Sequence, residues 1–513
     1  MVLTLILFLP LLAALAVLCI PRRMETAIKY TALAASLVPL GLCIPLFTIF
    51  PYGEPGFHCG ALVSWVPALG IDYRIGVDGL SLVLICLTAF LMSISIAASF
   101  SYIQTRIKEF YFFLLLLETG MLGTFAALDL FLFYLFWELM LVPMYFIIGV
   151  WGGEKRIYAS IKFFLYTAFG SALMLIVIFY LYFQARQQLS VSPSFNFENF
   201  TVLTLSTTAQ YWLFWGMLLA FLIKIPLFPF HTWLPYAHTE APTAGSVILA
   251  GILLKTGVYG ILRFVIPIFP QAMIAFTPLL MVLALIGVIY GAMIAMVQRD
   301  VKRLVAYSSV SHMGMLLAGI LAWNLPGLEG GIIQMINHGL STGALFLIVG
   351  MIYERRHTRA IDDFGGLAKV MPMYATFFMI FMLSSIGLPG LNGFIGEFLI
   401  LVGLAQRSLI WTAIAALGII LGAAYMLSLY KRMMFGELAR EENQQLTDLN
   451  RREFYLLLPI AILCFWIGLY PYPLQKTLEP SVNKIIEYVE PHMETTRSNE
   501  RATPALTASA REE

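Results

Sequence analysis

Ile223-Lys224-Ile225-Pro226-Leu227-Phe228-Pro229 and Gly387-Leu388-Pro389-Gly390-Leu391-Asn392-Gly393 are helix-breaking stretches, each set inside an apolar run long enough to cross a membrane. Proline has no amide hydrogen, so Pro226 and Pro229 leave the carbonyls of Leu222 and Ile225 without their usual donors. Pro389, followed by Gly390, does the same for Ser385. Broken backbone at membrane depth persists only where it is buried in protein or lines a wet cavity. Lys224 sits at the first break, and a charge near the bilayer centre costs roughly 2.5–3.5 kcal/mol. Such residues are rare and mark ion or proton routes.

The surrounding composition agrees. The chain is 60% hydrophobic and 12% charged, with a mean hydropathy of +0.85, outside the range of a soluble domain. A net charge of +2 argues against a nucleic-acid partner. Cys19, Cys43, Cys59, Cys86 and Cys464 show no ligand spacing, so neither disulfides nor an iron–sulfur cluster is implied. The first helix is not read as a signal peptide, because Arg22 and Arg23 follow its apolar run.

The expected fold is all-α and polytopic, with fourteen spans near 2–20, 28–50, 77–100, 110–128, 130–151, 159–183, 210–230, 244–268, 273–297, 304–323, 331–353, 371–405, 410–435 and 454–471. Lys and Arg gather after odd-numbered spans, at Arg299, Lys302, Arg303, Arg355, Arg356, Arg359, Lys431 and Arg432 among others. The even-numbered loops carry Arg74, Arg186, Arg263 and Arg407. The odd loops are therefore expected in the cytoplasm.

Two spacings suggest an internal repeat. Glu138 and Lys224 are 86 residues apart (224 − 138), and His312 and Glu397 are 85 apart (397 − 312). Spans five and seven would then map onto ten and twelve, with the second unit inverted, as in secondary transporters. The expected division is 1–109 for spans one to three, 110–268 and 269–435 for two five-helix repeats, and 436–471 for the last span. A polar, partly disordered tail fills 472–513.

Glu138, Lys224, Lys255, His312, His338 and Glu397 are ionisable groups inside apolar spans. Moving Glu138 toward or away from Lys224 would switch the lysine between holding and releasing a proton. Lys255, His312 and His338 would carry it onward, with Glu397 as the last site. Ser308, Ser309, Ser311, Ser341 and Thr342 surround these groups with hydroxyls. Structural roles compete at each position. Glu138 would serve as a helix–helix ion-pair partner, Lys224 would snorkel, and the histidines would make satisfied interior hydrogen bonds. Lys255 lies between Gly251 and Gly257, which suit close helix packing. Glu118 is a buried carboxylate without a role, and Asp78 and Asp129 suit helix caps. A zinc site at His231, His238 and Glu240 would make an intramembrane metalloenzyme, but the spacing is neither H-E-x-x-H nor a finger.

From about residue 77 to 471 the chain resembles the antiporter-like subunits of respiratory complex I, specifically the M type (chain 4). The resemblance rests on Phe136-Trp137-Glu138-Leu139 through Pro143-Met144-Tyr145, and on Lys224-Ile225-Pro226-Leu227 through Trp233-Leu234-Pro235. Glu240-Ala241-Pro242-Thr243-Ala244-Gly245-Ser246 and Gly387-Leu388-Pro389-Gly390 through Gly396-Glu397-Phe398 complete it. It implies that Glu138 and Lys224 are the coupled pair, with Lys255 and Glu397 the later carriers. Glu397 replaces the lysine usual in L- and N-type subunits and in Mrp-type cation/proton antiporters, the chief alternative. Tyr236 stands where the family usually has aspartate. The resemblance further implies a proton-translocating subunit of NADH:quinone oxidoreductase, with NAD(H), FMN, Fe-S clusters and quinone held elsewhere in the complex. L- and N-type subunits and the lipid bilayer are the expected partners. The expected home is a bacterial inner membrane, with a thylakoid membrane, plastoquinone and ferredoxin as the alternative setting.

Overall fold

The computed structural model describes residues 1–189 and 194–509. Six helices come first: α1 (Val2–Cys19), α2 (Glu25–Ile49), α3 (Gly79–Ala98), α4 (Ile107–Ala126), α5 (Leu130–Trp151) and α6 (Arg156–Gln188). Helix α7 (Thr207–Lys224) stops at the first break and the short α8 (Leu234–Glu240) follows. Next come α9 (Thr243–Ile268), α10 (Pro270–Met296), α11 (Val301–Ile320) and α12 (Leu325–Arg356). The second break separates α13 (Pro372–Ser385) from α14 (Asn392–Ala405). The chain ends in α15 (Leu409–Met434), α16 (Arg451–Leu469) and α17 (Tyr472–Ser509).

Among the described residues eleven helices are long and apolar enough to cross a membrane. The expected fourteen spans exceed that number at α7, α11 and the α13–α14 pair. The core centres on α9 and α12, both wholly buried over their most apolar windows. They cross at glycine: a Cβ on Gly339 would lie 3.0 Å from the Gly251 carbonyl. Asp78 and Asp129 cap helix starts, as read from sequence: Asp78 accepts from the Ser81 amide and Asp129 from those of Phe131 and Leu132. Asp300, not singled out there, accepts from the amides of Lys302 and Arg303 in the same way.

Two expectations need correction, and one element went unread. The connection after α2 holds β1 (His58–Val66) and β2 (Ile71–Val77), an antiparallel hairpin turned at Gly70 with φ +68° in a fold expected as all-α. The segment from Tyr472, expected as a polar and partly disordered tail, is helix α17 packed on α3, α10 and α12. Its buried Leu474, Leu478, Val482, Ile485 and Val489 recur at helical spacing, which sustains it despite its polarity. The Leu222 carbonyl at the first break is not free, because it accepts from the Leu227 amide at 3.0 Å.

The breaks nonetheless match. The Leu388 amide donates to the Leu383 carbonyl at 3.1 Å, the same five-residue step that joins Leu227 to Leu222. These bonds are 161 residues apart, as 388 − 227 and 383 − 222. In that frame Lys224 corresponds to Ser385, and Glu397 to Tyr236. The near-equal spacing of charges in the sequence therefore does not pair Lys224 with Glu397. Lys224 precedes its break and Glu397 follows its own.

Helices α3, α9 and α17 are clasped together at the even-loop end. Arg263 Nη2 donates to Asp78 Oδ1 at 2.6 Å, and Ser481 Oγ to Asp78 Oδ2 at 2.9 Å. Burial opposes the charged form of Asp78, but the Arg263 guanidinium and hydrogen bonds from Ser81 and Ser481 hold its carboxyl below the usual range. The clasp thus contributes stability above the ordinary aspartate pKa of about 3.9 and loses it as pH falls through the lower folded value. Asp78→Ala would strand a buried guanidinium, and a loss of about 3–5 kcal/mol is expected. Thermal unfolding of the purified chain in detergent checks this. Ser481→Ala should cost far less.

Candidate functional site

Lys224 is the last residue of α7, where the helix can no longer continue, and it is 1% exposed. Its ammonium lies 5.0 Å from the centre of the Trp137 ring and 5.6 Å from that of Phe163. Trp137 precedes Glu138 on α5, so the lysine is held beside the carboxylate's own helix. Glu138 acts on Lys224 electrostatically, yet no contact within 4.0 Å joins the two charges. One Glu138 oxygen, Oε1, is buried without a protein partner.

A separate line of polar groups runs through α9, α12, α11 and α14. Lys255 follows a π-helical turn, Leu249–Leu253, inside α9. Such turns open the regular hydrogen-bond ladder and recur at functional sites. The wholly buried ammonium bonds the Ala250 carbonyl on that turn and lies 2.7 Å from His338 Nδ1. The His338 and His312 rings are 5.7 Å apart. His312 Nδ1 is 3.5 Å from Glu397 Oε1, and its Nε2 is 3.3 Å from Ser385 Oγ.

Glu397 is positioned by the second break. Gly387 has φ +73°, and a Cβ there would come within 2.5 Å of Glu397 Oε2, so only glycine fits. Gln334 Nε2 donates to Glu397 Oε1 at 3.3 Å. Asn337 Nδ2 reaches both Gln334 Oε1 (3.1 Å) and the Asn392 carbonyl (2.7 Å). Ser385, Gln334, Asn337 and Asn392 were not singled out from sequence. Their signal was polar side chains within apolar helices, the same one that marked the charges. Four of the six expected residues, Lys255, His338, His312 and Glu397, thus form one buried line. Glu138 and Lys224 form a second group, with no hydrogen bond or ion pair to the first among the described residues.

The hydroxyls expected around the histidines mostly turn back to backbone. Ser308 and Ser309 donate to the Val305 carbonyl, Ser311 to that of Val288, and Ser341 to that of Asn337. Ser385 supplies the hydroxyl that meets His312. Among the described residues His231, His238 and Glu240 do not converge as a group of three. His231 stacks on Phe228 and meets Tyr290 edge-on, His238 lies flat on Phe346 at 4.6 Å, and Glu240 accepts from the Lys155 amide. Both oxygens of Glu118 are buried without a protein partner, which nothing in the structure explains.

Tyr236 now has a physical account. Its ring takes the Lys162 ammonium at 4.5 Å and the Arg303 guanidinium at 5.8 Å, so a π face stands where a carboxylate would pair the same cations. Tyr236→Leu should destabilise the chain by about 0.5–2 kcal/mol. Tyr236→Asp should recover most of that in the same thermal measurement.

The model of the NADH:quinone oxidoreductase/Mrp antiporter transmembrane family matches residues 127–422. NADH-quinone oxidoreductase subunit M of Rickettsia prowazekii is 43% identical over 94% of this chain and 98% of its own length. A chain in the structure of respiratory complex I from Thermus thermophilus with bound NADH superposes with TM-score 0.86 at 32% identity, covering 95% of this chain and 100% of that one. A chain of the Mrp complex from Dietzia sp. DQ12-45-1b shares the fold, with TM-score 0.81 at 21% identity over 95% and 98% of the two chains. This chain, with its two broken helices and its buried charges, belongs to the NADH:quinone oxidoreductase/Mrp antiporter transmembrane family, on the subunit M branch.

Proposed function

We propose that the chain is a proton-translocating membrane subunit of an NADH:quinone oxidoreductase, in which quinone reduction elsewhere drives proton transfer through Glu138, Lys224, Lys255, His338, His312 and Glu397. The observation that carries this is the continuous buried line from Lys255 to Glu397 in a chain of that family. The fourteen-span, twice-repeated architecture belongs to the same reading and is supported by the matching bonds at the two breaks.

The energies are of the right size. Lifting a proton against a membrane potential of ~150–200 mV costs about 4 kcal/mol. An opposite charge brought to 4 Å is worth about the same at an effective dielectric constant of 20. Glu138 and Lys224 are apart in this structure, with the lysine resting on Trp137 and Phe163. Closing that gap would favour the protonated lysine, and opening it would release the proton toward the line that begins at Lys255.

L- and N-type membrane subunits are the proposed neighbours and a bacterial inner membrane the proposed location. The redox groups, NAD(H), FMN, Fe-S clusters and quinone, would reside on other subunits. An Mrp-type antiporter is disfavoured by Glu397, which that group usually replaces with lysine.

Lys224→Ala or Glu138→Ala should cut NADH-driven proton pumping by at least about a hundredfold with the complex still assembled. Dye-quench measurements on inverted membrane vesicles test this, and normal pumping in both variants overturns the mechanism. Mass spectrometry of what co-purifies with the tagged chain tests the assembly. Flavin and iron–sulfur subunits support it, whereas small antiporter subunits alone point to an Mrp-type complex.

A further inference from the structure

The turn from α1 to α2, the start of α4 and the end of α5 enclose a cavity of ≈ 560 Å³ at the end of the bundle where Lys and Arg concentrate. Its two halves differ in chemistry. Arg22, Arg106 and Lys108 stand at the mouth, and Phe113 on α4 with Phe146 and Val150 on α5 form the wall beneath. Phe113 lies six residues inside α4, so the apolar half sinks about 9 Å into the span at 1.5 Å per residue.

The apolar half is rigid and continues along the helix surface. Phe113 and Phe146 stack with ring centres 4.9 Å apart, and Trp151 meets Phe113 edge-on at 6.3 Å. Trp151 Nε1 donates to the Thr105 carbonyl at 2.8 Å, which fixes the indole at the helix ends, the level at which tryptophan anchors to a membrane interface. Val142, Phe146 and Val150 follow at every fourth residue and form one strip on α5, of which Val142 and Phe146 are exposed. The strip carries the apolar wall from the cavity toward the bilayer centre.

The cations at the mouth are only partly used by the protein. Arg22 pairs with Glu109 at 2.5 Å. Glu25, the other carboxylate on the lining, is the first residue of α2, where it offsets that helix's dipole. Lys108 gives one ammonium hydrogen to the Leu18 carbonyl at 2.6 Å and has two more to give. Arg106 holds the N-cap position of α4 at φ +48° without a side-chain hydrogen bond to the helix, and its guanidinium makes no hydrogen bond or ion pair among the described residues. Spare donors above a stacked aromatic wall match an amphiphile with an acidic head. Basic pockets between helices at the cytoplasmic surface take up acidic lipid head groups in this way.

We propose that this cavity binds one anionic glycerophospholipid, its phosphate on Arg106 and Lys108 and an acyl chain laid along Phe113, Phe146 and Val142. The spare donors favour a lipid over a neighbouring protein helix, whose apolar face would leave Arg106 unpaired. The bound lipid would tie the turn after α1 to α4 and α5. This role is separate from proton transfer and does not depend on it.

Native mass spectrometry of the full chain, stripped of lipid in detergent and titrated with phosphatidylglycerol, tests the site. One phosphatidylglycerol should bind at least about tenfold more tightly than phosphatidylcholine with the same acyl chains. A basic residue beside an acidic head group is worth about fivefold in affinity. Arg106→Gln should therefore weaken binding about fivefold, and Arg106→Gln combined with Lys108→Gln about twenty-five-fold. Equal binding of the two lipids, or an unchanged affinity in the double variant, overturns the proposal. Inorganic phosphate supplied without lipid should not bind at the same concentration; binding as tight as that of phosphatidylglycerol would make this a free-anion site and overturn the lipid. Benzoylphenylalanine in place of Val150 decides the matter if the double variant fails to fold. Illuminated in native membranes, it should add the mass of one phospholipid to the chain. Cross-linking only to another membrane subunit, or none at all, overturns the lipid site.

Discussion

A charged side chain surrounded by hydrocarbon must find a partner within the protein, and the architecture is organised around that requirement. Lys255 is wholly buried in α9, one of the two fully enclosed helices of the bundle. Its needs are met by a carbonyl on a π turn of its own helix and by His338 from α12. Both helices must approach closely for this to happen. The Gly251–Gly339 crossing is what lets their backbones do so. The helix breaks serve the same end elsewhere in the bundle. One ends α7 at Lys224, and the other lets Gly387 pass beside the Glu397 carboxylate.

Most of the helical architecture was legible because hydropathy over twenty residues is a strong signal, and the spans fall within a few residues of their expected places. The failures came from elements that the same signal does not register. The 58–77 hairpin is too short to look like a span, and its alternating Val63, Ile71, Ile75 and Val77 were absorbed into an inter-span loop. Helix α17 is polar, but its buried residues from Leu474 to Val489 keep the period of an amphipathic helix. That pattern was available and was outweighed by composition.

The charges of the candidate site were legible in the sequence, and the contacts among them were not. A lone charge in an apolar span announces itself, so Glu138, Lys224, Lys255 and Glu397 could be named from sequence. Which of them meet is a matter of helix packing across gaps such as the 83 residues between Lys255 and His338. Equal spacing suggested that Lys224 and Glu397 were repeat partners, whereas the backbone bonds at the breaks pair Glu397 with Tyr236.

Two kinds of buried polar cluster coexist in this fold, and their hydrogen bonding separates them. In the Asp78–Arg263–Ser481 clasp both carboxylate oxygens and the guanidinium are engaged. Moving a proton there would break bonds worth about 1.5–3 kcal/mol each and gain nothing. The other cluster is left open by comparison. His338 Nε2, Glu397 Oε2, Glu138 Oε1 and both nitrogens of His238 are buried without a protein partner. Native proteins rarely tolerate such atoms without cause. On the proposed proton path such vacancies would serve function, because a group that must take up and release a proton needs a vacant lone pair at the moment of transfer. A saturated network holds helices together, and an unsaturated one leaves the vacancies that the proposed proton transfer needs.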